Sequence, residues 1–149
     1  MLRLENINVA YEGVPALHGL SLDLGAGEMV ALIGSNGAGK TTTLNTISAV
    51  IKPTSGCIWF EDHRIDQCEP EDVVQLGILH VPEGRRVFTA LTVEENLKVG
   101  ATRWHRLGMS VNREMERVFS LFPRLRERRK QLAWSLSGGE QQMLALVAD

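Results

Sequence analysis

Apolar and polar residues alternate over the first 24 residues of the chain in the manner of β-strands. Successive side chains of a strand point to opposite faces of a sheet, so a two-residue period indicates one buried face. The period appears, with one slip, at Leu2, Leu4, Ile7, Val9 and Tyr11. It returns before the turn of residues 25–28 at Leu20, Leu22 and Leu24. The opening of the chain is therefore predicted to form antiparallel strands.

Two short runs are apolar without alternation, which is typical of strands buried on both faces of a parallel sheet. The first run comprises residues 29–33 and leads at once into a glycine-rich loop. The second comprises residues 78–81 and leads into the loop of residues 82–88. A further strand is predicted over residues 57–60, after a turn that contains proline and glycine.

Helical signals are concentrated later in the chain. Thr92 and Glu95 form a capping box, in which the hydroxyl and the carboxylate each satisfy an amide of the first turn, and they predict a helix over residues 94–99. Pro70 and Gly77 bound a short predicted helix. Further helices are predicted over residues 40–49, 112–122 and 124–132, the last two joined at Pro123. Because strands come early and helices late, the predicted fold class is α/β with a helical subdomain.

Composition narrows the class of protein. With 149 residues and 44% apolar side chains, the chain can form one globular domain or part of one. Its net charge of -2 gives no general electrostatic basis for binding nucleic acid, so we expect no nucleic-acid partner. Its two cysteines, Cys57 and Cys68, lack metal-ligand spacing. No apolar run approaches the roughly 18 residues that span a bilayer, so we expect a cytoplasmic protein that reaches a membrane through a partner.

The strongest chemical signal is the pattern G-x-x-x-x-G-K-T over residues 34–41, between a predicted strand and a predicted helix. Its glycines let the backbone turn N–H groups toward phosphate oxygens, and the following helix adds a favourable dipole. Lys40 is predicted to contact the β and γ phosphates, and the Thr41 hydroxyl to bind Mg²⁺. The alternative, a glycine-rich turn that binds nothing, is disfavoured because the motif is complete. The residues predicted to contact a nucleotide are Gly34, Ser35, Asn36, Gly37, Ala38, Gly39, Lys40, Thr41 and Thr42.

A second glycine-containing motif, Leu-Ser-Gly-Gly-Glu-Gln-Gln, occupies residues 136–142. Ser137 and Glu140 form another capping box there. The two glycines between them leave amide donors beside the positive end of a helix dipole, where an anion would be favoured. Taken alone, this motif indicates only the capped start of a helix, which is a common feature.

The two motifs, in this order and separated by a helical segment, resemble the ATP-binding cassette (ABC) family over essentially the whole chain. The resemblance implies a P-loop nucleotide hydrolase core, ATP and Mg²⁺ as cofactors, and a head-to-tail dimer with a homologous or identical ATPase subunit. Its parts would be an antiparallel β subdomain over residues 1–28, a nucleotide-binding core over 29–88, a helical subdomain over 92–135 and a signature helix over 136–149. The residues of one subunit that would meet the γ phosphate bound by the other are Ser137, Gly138, Gly139 and Glu140.

The resemblance also implies roles for two isolated residues. Tyr11 matches the family's aromatic that stacks on adenine, whereas without the resemblance a tyrosine that merely ends a strand is favoured. Glu83 lies at the position of the family's Q-loop, where most members have glutamine. A carboxylate can still bind Mg²⁺ or accept from the attacking water, so Glu83 is a candidate catalytic and metal-binding residue. It also adds a negative charge next to phosphate.

Similarity to one group of transporters is carried by residues 81–88, Val-Pro-Glu-Gly-Arg-Arg-Val-Phe, and by residues 91–97, Leu-Thr-Val-Glu-Glu-Asn-Leu. These stretches are similar to the ATP-binding subunits of branched-chain amino acid importers. The resemblance thus implies an ATPase, peripheral on the cytoplasmic face of the membrane, that drives import through transmembrane permease subunits. Two alternatives remain: a soluble ABC protein acting in translation or DNA repair, and a nucleotide-binding fragment without turnover. The short helical span of residues 100–135 disfavours the first of these.

Two family elements that come after the signature are not found in the sequence: an apolar strand ending in Asp-Glu, and a histidine that senses the γ phosphate. The apolar run that does end in adjacent carboxylates, residues 57–62, precedes the signature, so Glu61 and Asp62 are predicted to form a polar turn. We therefore expect a cassette that is incomplete at its C-terminus and inactive in hydrolysis alone. Four histidines also precede the signature and are predicted to be surface or strand residues, namely His18, His63, His80 and His105.

Residues 123–130 contain the one basic cluster of the sequence. One interpretation is a contact to phosphate or to a transporter subunit. The other, a solvated helix face, is favoured because runs of charge usually serve solubility. The arginines of the cluster are Arg124, Arg126, Arg128 and Arg129.

Overall fold

The computed structural model of the chain describes residues 1–84, 86–101 and 110–148, with side chains as far as Val147. The chain divides into two compact units, Met1–His80 and Val81–Asp149. His105, for which a surface or strand position is predicted, lies outside the described residues. Within those residues, no helix combines the length and apolar character needed to cross a membrane. The finer subdivision at residues 28, 88 and 135 stays a prediction.

A four-stranded antiparallel sheet with the strand order β2-β1-β3-β4 forms the centre of the first unit. Its longest pair is β1 with β2, in which Leu4 lies opposite Leu22. The predicted antiparallel opening is therefore confirmed, and β3 begins two residues before its predicted start. The strands are β1 Leu2–Tyr11, β2 Val14–Leu24, β3 Ser55–Phe60 and β4 His63–Arg64.

The slip in the alternation of β1 is a bulge around Asn6. Asn6 has a φ of +49°, and the register between β1 and β2 shifts between Leu4 and Ile7. Because a bulge adds one residue to a strand, two residues three positions apart can face the same core, and Leu4 and Ile7 are 1% and 0% exposed. Gly56 of β3 approaches this bulge so closely that a Cβ would lie 2.6 Å from the Asn6 carbonyl oxygen.

Helices α1, Lys40–Ile47, and α2, Pro70–Gln75, complete the first unit. Both were predicted, and α1 ends two residues earlier than expected. The predicted polar turn at Glu61 and Asp62 is also confirmed, directly after β3. The buried core combines side chains from the sheet, from α2 and from the segments directly after α1 and β4: Leu4, Ile7, Val9, Leu17, Ala49, Ile58, Ile65 and Val73.

The two predicted buried strands are absent, and both predictions are wrong for the chain as described. Residues 29–33 and 78–81 are irregular, and the side chains of Met29, Ile33 and Leu79 are 97%, 94% and 57% exposed. A parallel strand takes its backbone hydrogen bonds from neighbours that are distant in sequence. Within the described residues, the sheet contains only antiparallel pairs, and neither run has a ladder partner. An apolar run therefore does not become a strand through its composition alone.

Helices make up the second unit. They are α3 Val93–Gly100, α4 Val111–Leu121, α5 Pro123–Glu127 and α6 Gly138–Ala148, with a 3₁₀ turn at Ala133–Ser135. The predicted break between α4 and α5 at Pro123 is confirmed, as is the capping box at the start of α3. The core is formed by residues from all of these elements: Val93, Leu97, Met115, Phe119, Leu125, Ala133, Leu136 and Leu144.

The helix predicted over residues 124–132 is wrong in its second half, since α5 ends at Glu127. After Glu127 the chain leaves the helical conformation, and its carbonyl oxygens accept hydrogen bonds from the start of α3. The amides of Val93 and Glu94 donate to the carbonyl oxygens of Gln131 and Arg129, at 3.0 and 2.9 Å. The first amides of a helix have no partner inside it, so residues 129–131 satisfy the start of α3 instead of extending α5.

Candidate nucleotide-binding site

The loop of residues 34–39 lies between β2 and α1, and its glycines give it a conformation that other residues avoid. Gly37 and Gly39 have φ values of +85° and +87°. Gly39 is the residue before the first turn of α1, and no side chain caps that turn. Main-chain amides at the start of α1 are therefore left for an external acceptor, which is the arrangement that binds phosphate at helix N-termini.

Close packing makes glycine necessary at position 39. A Cβ there would lie 2.5 Å from Cδ2 of Leu17 and 3.1 Å from the Ala16 carbonyl oxygen. Both neighbours belong to β2, and Leu17 is buried in the core of the first unit. The loop is thus held against the sheet by its backbone, which fixes where α1 begins.

Lys40 directs its ammonium group back across the loop. Its Nζ donates hydrogen bonds of 2.8 Å to the carbonyl oxygens of Gly34 and Ser35. The loop is closed further by a bond of 3.2 Å from the Ala38 amide to the Ser35 carbonyl oxygen. The only cation of residues 34–41 is therefore held at the same loop as the amides, and phosphate oxygens could replace the two carbonyls as its acceptors.

Tyr11, at the end of β1, lies beside the start of α1. Its hydroxyl donates to Oγ1 of Thr42 at 3.3 Å, and the residue is 45% exposed. Tyr11 is therefore both the last residue of a strand and a neighbour of the loop. The structure brings this sequence-predicted aromatic together with the predicted phosphate loop, with much of the side chain open to a ligand.

The hydroxyl groups of α1 have different roles. Thr43 and Thr46 are buried, and their Oγ1 atoms donate to the carbonyl oxygens of Gly39 and Thr42, at 2.9 and 2.7 Å. Thr41, the predicted ligand of Mg²⁺, is exposed. No group of three or more His, Cys, Asp or Glu that could hold a metal occurs in the described parts of the chain. The exposed Thr41 hydroxyl at the start of α1 fits the way Mg²⁺ is held beside nucleotide phosphates, where the Ser or Thr of a phosphate loop is one of its ligands.

The second glycine-containing turn begins α6. The Ser137 amide donates to Oε2 of Glu140 at 2.9 Å, and the Glu140 amide donates to the Ser137 hydroxyl at 3.4 Å, so the predicted capping box is confirmed. Hydrogen bonds from the Ser137 backbone and side chain hold the pKa of Glu140 below its usual value, and the charge of Arg128 lowers it further. A Cβ at Gly139 would meet nothing within 4 Å. The main chain at Gly139 is therefore exposed and not covered by neighbouring atoms.

Glu83 is exposed in the loop that opens the second unit, followed by Gly84 with a φ of +95°. It belongs to the second unit, whereas Lys40 and Thr41 belong to the first. Each unit thus contains its own group of predicted residues. Tyr11 joins the phosphate loop in the first unit, and Ser137 joins Glu140 in the second.

Asn96 is a buried polar residue for which no role was predicted from the sequence. It is 1% exposed. Its Nδ2 donates to the carbonyl oxygens of Phe88, Leu91 and Thr92 at 3.0, 3.3 and 2.9 Å, and its Oδ1 accepts from the Phe88 amide at 2.7 Å. The available signal was a polar residue on the same helical face as Val93 and Leu97. This amide holds residues 88–92 against the first turn of α3.

The basic cluster is extensively paired with carboxylates. Arg124 lies 2.9 Å from Glu127, and Arg129 lies 3.4 Å from Glu94. Arg126 pairs with Glu116 of α4, and Arg128 lies 2.8 Å from Glu140 of α6. The guanidinium groups of Arg124 and Arg126 remain largely exposed, as expected for a solvated face. Arg128 instead reaches the glycine turn.

Comparison with known proteins places this geometry in a family. A family model described as ABC transporter matches residues 17–148. The chain is 43% identical to the high-affinity branched-chain amino acid transport ATP-binding protein BraG of Pseudomonas aeruginosa, over 98% of the chain and 62% of that protein. It is 35% identical to the probable branched-chain amino acid transport ATP-binding protein LivF of Archaeoglobus fulgidus, over 99% of the chain and 61% of that protein.

Solved structures agree with this match. One of them, the dimeric structure of a post-hydrolysis state of an ATP-binding cassette bound to ADP and Pi, has a TM-score of 0.81 to this chain at 26% identity. That match covers 99% of this chain and 68% of the other. The chain spans about three fifths of the length of the two relatives above, 62% and 61%. The motifs, the loop geometry and these matches agree, and the chain belongs to the ABC transporter family.

Proposed function

We propose that this chain forms part of the ATP-binding subunit of a transporter that couples ATP binding and hydrolysis to import of branched-chain amino acids. The observation that carries the proposal is the phosphate loop: Gly37 and Gly39 at positive φ, uncapped amides at the start of α1, and the Lys40 ammonium group held at the loop carbonyls. The assignment of a substrate is supported by BraG and LivF, whose names describe branched-chain amino acid transport.

In this proposal, the first unit holds the nucleotide. Loop amides and Lys40 bind the β and γ phosphates, and the exposed face of Tyr11 stacks on adenine. Thr41 holds Mg²⁺, which neutralises charge on the phosphate oxygens when bound. To bind phosphate, Lys40 must give up its hydrogen bonds to the carbonyl oxygens of Gly34 and Ser35. Nucleotide binding is therefore coupled to the conformation of residues 34–35.

The second unit acts on the nucleotide of a second ATPase subunit. Ser137, Gly138 and Gly139 contact the γ phosphate held by that subunit's loop, in a head-to-tail dimer. A related cassette that forms a dimer with ADP and Pi supports this arrangement. Glu83 accepts a hydrogen bond from the attacking water or binds Mg²⁺, and its loop meets the permease subunits on the cytoplasmic face of the membrane.

A titration of the purified chain with Mg·ATP tests the proposal. We expect saturable binding that Lys40→Ala weakens by at least about tenfold, because a charge-assisted hydrogen bond to phosphate is lost. Lys52→Ala is the matched control, since Lys52 forms an exposed ion pair with Glu69 and its removal should leave binding unchanged. A folded wild-type sample that binds no Mg·ATP would overturn the proposal.

The substrate is tested separately by transport. Cells whose importer depends on this ATPase should lose uptake of labelled leucine when Lys40→Ala replaces the wild type, while uptake of an unrelated sugar continues. Continued leucine uptake would reject the assignment of the substrate without affecting the assignment of ATP binding.

A further inference from the structure

Arg128 and Glu140 connect the basic cluster to the glycine turn before α6. Nε of Arg128 lies 2.8 Å from Oε1 of Glu140, and a second guanidinium nitrogen of Arg128 donates to Gln131 at 3.1 Å. The other carboxylate oxygen of Glu140 accepts from the Ser137 amide at 2.9 Å. One carboxylate therefore bridges the arginine and the turn, and both of its oxygens are occupied.

The charge of Glu140 lies next to a turn that the proposed function assigns to a phosphate. Hydrogen bonds from Ser137 and the charge of Arg128 lower the pKa of Glu140, so it is ionised at neutral pH. Its side chain is 13% exposed and that of Arg128 is 37% exposed, so water screens this pair less than it screens a fully exposed one. A carboxylate without a partner at this position would repel an incoming anion.

The other arginines of the cluster have carboxylate partners elsewhere. Arg126 pairs with Glu116, and Arg129 pairs with Glu94. Arg124 lies near enough to influence the pKa of Glu140, but its guanidinium contacts Glu127 at 2.9 Å. Arg128 is thus the arginine of residues 123–130 that forms an ion pair with the helix carrying the turn.

We propose that Arg128 is a positioning residue: it neutralises and holds Glu140, so that the turn of residues 137–139 can accept an anionic phosphate. The inference rests on the proposed function, which assigns this turn to the γ phosphate of a second subunit. Arg128 does not contact the phosphate. It acts through Glu140, which is fixed to the amide of Ser137.

A titration of the 149-residue chain with inorganic phosphate at constant ionic strength, followed through the NMR amide signals of Ser137, Gly138 and Gly139, tests this role. We expect saturable shifts in the wild type and about fivefold weaker binding in Arg128→Gln, which leaves the Glu140 charge uncompensated. Arg126→Gln removes the same charge from the cluster and should bind phosphate like the wild type. Unweakened binding in Arg128→Gln, or the absence of saturable shifts at the turn of the wild type, would overturn the inference.

The double variant Arg128→Gln/Glu140→Gln separates neutralisation from direct contact. It removes both charges while the new amide can still accept from Ser137, so we expect phosphate affinity within about twofold of the wild type. Failure to recover affinity would show that Arg128 binds the anion itself or serves only the fold. If Arg128→Gln alone does not fold, comparing the double variant with the wild type still decides the question.

The same samples report on the proposed function independently. Mg·ATP binding at the phosphate loop, read from the amide signals of Gly37 and Gly39, should be equal in the wild type and in Arg128→Gln. Loss of that binding in every sample would reject the proposed function. Equal phosphate binding at residues 137–139 in the wild type and Arg128→Gln would reject only the role of Arg128.

Discussion

Two helices of this protein begin beside glycines, and their starts are stabilised in different ways. α1 follows Gly39, which has a φ of +87° and provides no side-chain cap. α6 follows Ser137, where the capping box with Glu140 and the ion pair from Arg128 hold the turn. The start of α1 thus depends on main-chain geometry and close packing, whereas the start of α6 depends on side chains.

The difference shows that glycine has two separate uses here. At position 39 it permits a backbone conformation and a contact with Leu17 that a side chain would prevent. At position 139 there is open space, and glycine leaves the amides bare. Both uses suit a phosphate, but only the first is needed for folding. Substitutions should therefore affect the two turns to different degrees.

The largest change in the free energy of unfolding is expected when the buried side chain of Asn96, in the second unit, is replaced. Asn96→Leu removes the acceptor of the Phe88 amide and one donor to each of three carbonyl oxygens, which keep their main-chain donors. Since the amide is left without a partner and the three other contacts are lost, we expect the free energy of unfolding to fall by about 3 kcal/mol. Urea unfolding followed by circular dichroism measures it.

Asn112→Leu is the matched control, because Asn112 is exposed on α4. It should change the free energy of unfolding by less than about 0.5 kcal/mol. Equal effects of the two substitutions would mean that the Asn96 amide does not organise residues 88–92.

The next largest effect is expected at Gly39. Gly39→Ala combines left-handed strain with a Cβ 2.5 Å from Leu17, so we expect a loss of about 2 kcal/mol and weaker Mg·ATP binding. Gly37→Ala has the same strain at a φ of +85° but no atom within 4 Å of its Cβ, and should cost about 1 kcal/mol. Both variants share the left-handed strain, and only Gly39→Ala adds the contact with Leu17. The difference between their thermal unfolding therefore measures the cost of that contact. A smaller loss at Gly39 than at Gly37 would contradict the packing argument.

Local features of this fold were accessible from the sequence because their partners are close along the chain. Both capping boxes join residues three apart, Thr92 with Glu95 and Ser137 with Glu140. The bulge at Asn6 was visible as a slip in the alternation of β1. Helix breaks at Pro123 and Gly77 follow from the same local rules.

Features that depend on distant partners were missed or predicted wrongly. The runs at residues 29–33 and 78–81 were predicted as strands, but strand pairing is decided by other parts of a chain. α5 stops at Glu127 because carbonyls of residues 129 and 131 serve the start of α3, which lies more than thirty residues earlier. The contact of Arg128 with Glu140 is equally non-local. Sequence patterns thus predicted the turns and their capping boxes, but not the contacts from distant parts of the chain that also hold them.

A smaller effect, of opposite sign, is expected at the second turn. Gly139→Ala adds a methyl group in open space within α6 and reduces the backbone freedom of the unfolded chain. We expect the free energy of unfolding to rise by up to about 1 kcal/mol. Urea unfolding beside Gly39→Ala makes the comparison direct. A loss as large as that at Gly39 would mean that Gly139 is also required by the fold.

The smallest expected effect is a local change of the second turn with pH. The pKa of Glu140 is lowered from 4.5 by hydrogen bonds from Ser137 and by the charge of Arg128. A lowered pKa means that this carboxylate stabilises the folded state above the unfolded value, and that the contribution is lost as pH falls through the folded value. The Ser137 amide signal should therefore titrate with a midpoint below that of a glutamate in the unfolded chain.

Residues 34–41 contain no carboxylate, so the amide signals of Gly37 and Gly39 should not follow that titration. Glu140→Gln should abolish the transition at Ser137 and leave the glycine signals of the loop unchanged. A midpoint above that of a glutamate in the unfolded chain would contradict the lowered pKa of Glu140. Parallel titration of both turns would mean that the start of α1 also depends on an ionised carboxylate. The contrast between a helix start held by main-chain geometry and one held by a capping carboxylate would then be lost.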